Sequence, residues 1–250
     1  MTTFSDSAAT AWALITSLDP VLASILLRSL AVSGLACLLA CAGGLLFGAW
    51  LGVSAFRGRG LVLAVLNTLL ALPSVVVGLV VYLLLSRSGP LGFLGWLFSF
   101  KAMVLAQTLL VLPVVAALVR QLIEDADRAH GEQLASLGAG SGLRSLILLW
   151  DERHALLTVV ITAFGRALSE VGAVMVVGGN IEGFTRVMTT AIALETSKGD
   201  LPLALALGLL LLGVVLALNV LIALLRRWRD SGGSATAVFT AAPVLRNTLS

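Results

Sequence analysis

The chain has 250 residues, of which 59% are apolar, 12% charged and 6% aromatic, and its mean hydropathy is +1.06. Soluble domains run at about 45–50% apolar and about 25% charged, so a water-soluble enzyme with a single core is excluded, and so is disorder over the bulk of the chain. The formal charge of +3 does not point to nucleic acid, because no basic run is interleaved with aromatic residues.

Residues 1–28 form an external N-terminal segment that carries Asp6 and no early Lys or Arg, so the basic start of a cleavable signal peptide is missing. Within it Ala8–Leu18 fits a short interfacial helix, closed by Asp19-Pro20. Charge-free runs follow: Ser29–Phe56 (28 residues), Gly60–Ser86 (27), Ala102–Val119 (18) and Leu201–Leu225 (25). A helix needs about 20 residues to cross about 30 Å of hydrocarbon. A fifth run, Ala155–Ile181, is long enough and holds Arg166 and Glu170 inside it. Spans are therefore predicted near 29–53, 61–85, 102–119, 155–177 and 201–225. Strands crossing a bilayer would alternate polar and apolar residues, and these runs do not. The predicted fold is all-α, a polytopic membrane helical bundle of about five transmembrane helices.

In the first span Cys37 and Cys41 lie four apart without an accompanying His, Asp or Glu. A metal or redox pair is weighed against small apolar packing residues, and packing is favoured. Gly44, Gly48 and Gly52 repeat every fourth residue, a face that lets another helix approach closely. Pro73 and Pro113 each fall inside a span and free backbone carbonyls there, which shapes a pathway or merely kinks the helix. Ser88–Phe100 is too short for a span and reads as a loop around Gly89-Pro90.

Gln121–His154 is the long polar insert, 34 residues with six of the thirteen acids. It reads as a short helix from Glu132 to Leu137, with Glu132 in the favourable first turn, a stop at Gly138, and a second helix over Leu143–Trp150. In the fourth span Arg166 and Glu170 stand four apart and face each other on one helix. They line a gate or a dimer contact, or else snorkel to the surface. The outer segment Gly178–Asp200 offers a turn at Gly178-Gly179-Asn180. Its Thr185, Arg186, Thr189, Thr190 and Lys198 offer cation and hydroxyl donors, or are merely a solvated loop. Residues 226–250 are a tail that reads as disordered after Asp230.

Lys and Arg near span ends stay in the cytoplasm. A C-terminus inside collects 10 basic residues there against 5 outside, with Arg166 in the span, so the N-terminus is predicted outside. No phosphate-binding loop, zinc-protease helix or Gly-x-Ser-x-Gly elbow is present. The sequence offers no catalytic or metal site.

Glu132-Gln133-Leu134-Ala135-Ser136-Leu137-Gly138-Ala139 resembles the E-A-A-x-x-x-G motif of permease subunits of binding-protein-dependent ABC importers. Glu132 and Gly138 match it, while Gln133 and Leu134 replace its alanines. Leu70–Gly92 and Phe164–Gly208 resemble the tungstate permease branch, close to the molybdate permeases. The resemblance covers roughly Ser29 to Leu225 and implies an ABC importer permease (MetI-like) core in the cytoplasmic (inner) membrane. It implies ATPase coupling through Glu132, Ala135, Gly138 and Ala139, and a homodimer working with a separate ATP-binding subunit and an external substrate-binding protein. No cofactor is expected on this chain, since ATP belongs to the ATPase. Tungstate is the implied cargo, molybdate or another oxyanion the alternative; on that resemblance Thr185, Arg186, Thr189, Thr190 and Lys198 suit a tetrahedral oxyanion, with Arg186 equally placed for a binding-protein contact. A secondary transporter is the rival class, though no internal repeat supports it.

Overall fold

The computed structural model describes residues 20–233 continuously, with Ala9, Trp12, Ala13, Thr16 and Ser17 before them; for residues 225–233 it describes the backbone alone. The expected interfacial helix at Ala8–Leu18 falls mostly, and the tail beyond Gly233 wholly, outside the described residues. Among those residues every regular element is helical: α1 (Pro20–Val53), α2 (Arg59–Ala71), α3 (Ser74–Leu85), α4 (Phe100–Ser136), α5 (Ser141–Asp151), α6 (Arg153–Leu168), α7 (Gly172–Gly178), α8 (Met188–Lys198) and α9 (Leu201–Gly233), with a 3₁₀ turn at Gly92–Leu94. The last helix therefore runs three residues past Asp230, where the sequence reading had begun the disorder. Three helices, α1, α4 and α9, are each long and apolar enough to cross a membrane. The pairs α2–α3 and α6–α7 pass the same test only jointly, bent by 98° and 56°. That gives three spans, or up to five if each bent pair is one.

The second and fourth predicted spans, near 61–85 and 155–177, are thus not the single helices expected. At the first corner the residue before a proline is pushed out of the α region. Leu72 accordingly sits at ψ 130°, and α3 restarts behind Pro73, whose carbonyl accepts from the Val76 and Val77 N–H groups. Pro73 thus marks a 98° corner between two helices and not a slight kink in one. The second break has no proline. There Glu170 accepts from the Ala173 N–H (3.3 Å) and caps the new helix α7 with its side chain. The two breaks are neighbours in space. A Cβ on Gly172 would lie 2.7 Å from Ser74 Oγ, and one on Gly78 would lie 2.7 Å from Ala173 Cα.

The longest interface joins α1 and α4, and the glycine repeat makes it. A Cβ on Gly44 would stand 2.8 Å from Val115 Cγ1, on Gly48 2.5 Å from the Ala116 carbonyl oxygen, and on Gly52 3.0 Å from the Arg120 carbonyl oxygen. Between lipid-facing helices association rests on packing at such close approach. Val115, Val119 and Ile123 are fully buried there. Pro113 sits inside α4, which continues through it. Cys37 and Cys41 are buried free thiols, Sγ to Sγ 3.9 Å, on the side of α1 that meets α6, where Cys37 reaches the Val160 carbonyl at 3.7 Å. α9 packs on α8 and α6 and exposes Leu209, Leu212, Leu216, Val220 and Leu224, an apolar face suited to hydrocarbon.

Candidate functional sites

The first site is the turn after α4. Nothing between Val119 and Glu132 stops a helix, and Ile123 and Ala126 stay on the buried face, so α4 extends unbroken from the apolar run to Ser136. The expected separate helix at Glu132–Leu137 is therefore the far end of α4. Glu132 consequently lies near a helix C-terminus, where the dipole disfavours an acid, and not in a first turn. The stop itself is where the sequence placed it. Gly138 has φ +82°, its N–H donates to the Ala135 carbonyl (2.9 Å), and the Ala139 N–H donates to the Leu134 carbonyl (3.0 Å). Glu132, Ala135 and Gly138 are exposed and Ala139 is half-buried. Leu137, at the tip, is 82% exposed. Among the described residues Glu132 has no ion-pair partner.

Around this turn lie residues that the sequence reading passed over. Asp127 on α4 receives Arg144 of α5 through Nε and Nη2 (3.1 and 2.7 Å to Oδ1, 2.6 Å to Oδ2). One turn earlier Glu124 receives Arg59 (3.1 Å), Arg120 (2.5 Å) and Arg128 (2.8 Å). Glu124 lies past the charge-free run of α4. Burial works against its charged form, yet Arg128, Arg120 and Arg59 hold its carboxyl below the usual carboxylate range. The (i, i+4) spacing of Arg120, Glu124 and Arg128 is visible in sequence; the partners Arg59 and Arg144 are not.

The second site is the break between α6 and α7. Arg166 Nη1 meets Glu170 Oε2 at 3.5 Å, the former 53% and the latter 6% exposed. The pairing is as expected, but across a break instead of along one helix. Gln107 of α4, which no sequence motif flagged, donates from Nε2 to the Ala167 carbonyl (3.0 Å), while its buried Oε1 has no partner. Two cavities of about 10 Å³ flank it, one lined by Gln107, Arg166 and Glu170, the other by Ser29, Ser33, Gln107, Glu170 and Thr189. Each is the size of roughly one water. Pro113 and Leu72, the neighbour of Pro73, line a separate apolar cavity of about 380 Å³ between α2–α3 and α4.

The outer segment differs from expectation. Thr185, Thr189 and Thr190 are buried, and their hydroxyls donate to the carbonyls of Gly178, Glu170 and Val187. They hold the chain's own backbone and do not face outward toward an anion. Arg186 is 12% exposed and lies 3.6 Å from Glu182 and 3.7 Å from Glu195, and Lys198 lies 3.1 Å from Glu195. The cations expected for an oxyanion are thus neutralised inside the segment. A loop needs internal donors to fold on itself, and sequence alone does not distinguish these from donors offered to a ligand. The turn at Gly179 (φ +69°) and Asn180 (φ 49°) is present. Arg28 on α1, also passed over, fastens the loop by donating to the carbonyls of Gly183 (2.8 Å) and Arg186 (3.2 Å).

The fold defines a multi-pass helical membrane protein with one protruding turn and two interrupted helices packed together. The chain is 46% identical over 210 residues to the tungstate uptake system permease protein TupB of Peptoclostridium acidaminophilum, covering 84% of this chain and 92% of that protein. It is 42% identical over 214 residues to a probable anion ABC transporter permease protein of Haloferax volcanii, covering 84% and 91%. To the molybdenum transport system permease protein ModB of Escherichia coli strain K12 it is 35% identical over 196 residues, covering 73% and 83%. No protein-family model matches the chain. The chain belongs to the ABC transporter permeases, in the branch of the tungstate uptake permeases.

Proposed function

We propose that this chain is the membrane subunit of an ATP-driven importer for tungstate, which an external binding protein delivers, and that two copies work with two ATPase subunits. The observation that carries the reading is the 46% identity to a tungstate uptake permease across 92% of that protein's length. The turn at Glu132–Ala139 supports a docking role for an ATPase: it protrudes, its tip Leu137 is 82% exposed, and Glu132 stands near a helix C-terminus without a cation. A cation supplied by a partner would relieve that placement. Arg166 is the pathway or gate residue of this reading. A charged side chain in a span faces protein or water, and its 53% exposure beside the buried Glu170 points it toward the partner copy or an aqueous path.

ATP-driven closure of the ATPases would move the docking turns and reopen the path between the two copies. Uptake of tungstate by cells or vesicles with and without the co-expressed ATPase tests this. Uptake that needs the ATPase and the binding protein supports it; uptake driven by an ion gradient alone refutes it. Molybdate is the second reading, favoured by the 35% identity to a molybdenum permease, and competition between the two anions in the same assay separates them.

A further inference from the structure

We propose that the Asp127–Arg144 ion pair is the strut that makes the docking turn and the third span move as one body, and that Gly131 is the residue that admits it. The inference rests on the docking reading of the turn and adds how motion leaves it. The two limbs of the turn, α4 and α5, are joined through Gly138 and Gly140. A Cβ at either glycine would meet nothing within 4 Å, so at these two positions the joint is held by the backbone hydrogen bonds that close α4 and not by side-chain packing. Arg144, one turn into α5, reaches across to Asp127 and takes both carboxylate oxygens with Nε and Nη2. The two side chains are 21% and 18% exposed. A two-pronged guanidinium–carboxylate contact fixes direction as well as distance.

Gly131 follows Asp127 by one helical turn and is buried. A Cβ there would lie 2.6 Å from Asp127 Oδ1 and 2.9 Å from its Cγ, so any other residue pushes the carboxylate out of its place against Arg144. Glycine inside a helix is otherwise disfavoured, and here the clearance it leaves accounts for it. Leu148 of α5 packs into the same core as Ile123 and Ala126 of α4, and Glu124 passes the connection on to Arg59 at the start of α2. The load path runs from the turn through α4 to the corner between α1 and α2.

The test uses the full chain co-purified with its ATPase subunit in proteoliposomes, with tungstate-loaded binding protein outside. Asp127→Asn, Arg144→Gln and Gly131→Ala should each still retain the ATPase in a pull-down, and should lower tungstate transported per ATP hydrolysed about tenfold. The exchange Asp127→Arg with Arg144→Asp should recover most of that ratio. Wild-type ratios in the single variants, or an exchange no better than they are, overturn the strut. So does loss of the ATPase from the pull-down, which makes the pair part of the docking surface. If the wild-type chain retains no ATPase, the docking reading falls by itself. The strut is then judged without a partner, by spin labels at Gln121 and Leu146 in a Cys37→Ala/Cys41→Ala chain. Asp127→Asn should broaden the distance distribution, and equal widths overturn the proposal.

Discussion

Arg166 and Glu170 are unequal partners, since the acid is buried and the base half exposed. Removing the base strands a carboxylate whose other support among the described residues is the Ala173 N–H at 3.3 Å. Breaking a buried pair from that side costs about 3 kcal/mol. Removing the acid leaves a half-exposed guanidinium, which costs about 1 kcal/mol or less on the reading that it faces an aqueous path. Arg166→Ala should therefore lower thermal stability of the purified protein much more than Glu170→Gln, with the double variant close to Glu170→Gln. Additive losses would show that the two are not coupled. Gln107 is a different case. Gln107→Leu gives up one hydrogen bond to Ala167, whose carbonyl also accepts from the Glu170 N–H, and it removes an unpartnered Oε1. The two effects oppose, so its melting transition should shift by no more than about 1 kcal/mol equivalent. A much larger loss would mean that Oε1 holds an ordered water in one of the flanking cavities.

At the scale of elements, two glycines act for different reasons. Gly138 needs its left-handed backbone and no space, because a Cβ there meets nothing within 4 Å at φ +82°. Gly138→Asn, a residue that visits this region, should be tolerated, whereas Gly138→Val adds strain of about 1–2 kcal/mol or more. The expected result for Gly138→Val is normal membrane insertion with loss of ATPase capture, read by pull-down. Gly48 needs space and no special backbone. Its Cβ would press on the Ala116 carbonyl oxygen at 2.5 Å, so even Gly48→Ala forces α1 and α4 apart, at about 1–3 kcal/mol. The Gly44 position presses on a side chain, Val115. Val115→Ala removes the Cγ1 but keeps the Cβ, itself 2.9 Å away, so it should relieve Gly44→Ala in part in a thermal unfolding assay and leave Gly48→Ala unrelieved.

At the scale of the whole molecule the prediction concerns orientation. If five spans cross with the C-terminus inside, 10 basic residues fall inside and 5 outside, and reporter fusions at Gly60 and His130 should read cytoplasmic and those at Gly89 and Gly199 external. A cytoplasmic signal at Gly199 would sink the arrangement of five crossings. It would also decide whether the 56° bend of α6–α7 lies within one span or turns the chain back.

Composition and charge-free runs were enough to show an all-helical membrane protein, because hydrocarbon leaves the backbone only a few ways to satisfy its own hydrogen bonds. The glycine repeat announced the close face of α1, and Gly138 announced the end of α4, since small size and left-handed backbone are properties of single residues. The corner at Pro73 was half legible: proline disfavours the helix before it, but the 98° angle depends on what α3 packs against. The break at Glu170 had no local signal, because it is held by a side-chain cap and by Gly172 against Ser74. The continuity of α4 through Glu132, and the internal neutralisation of Arg186 by Glu195, were likewise beyond sequence. Which donors a loop spends on itself, and which helix continues into the next segment, is decided by contacts between residues far apart in the chain. Asp127 and Arg144 were both in plain view, 17 positions apart; only the folding of α5 back onto α4 makes them a pair.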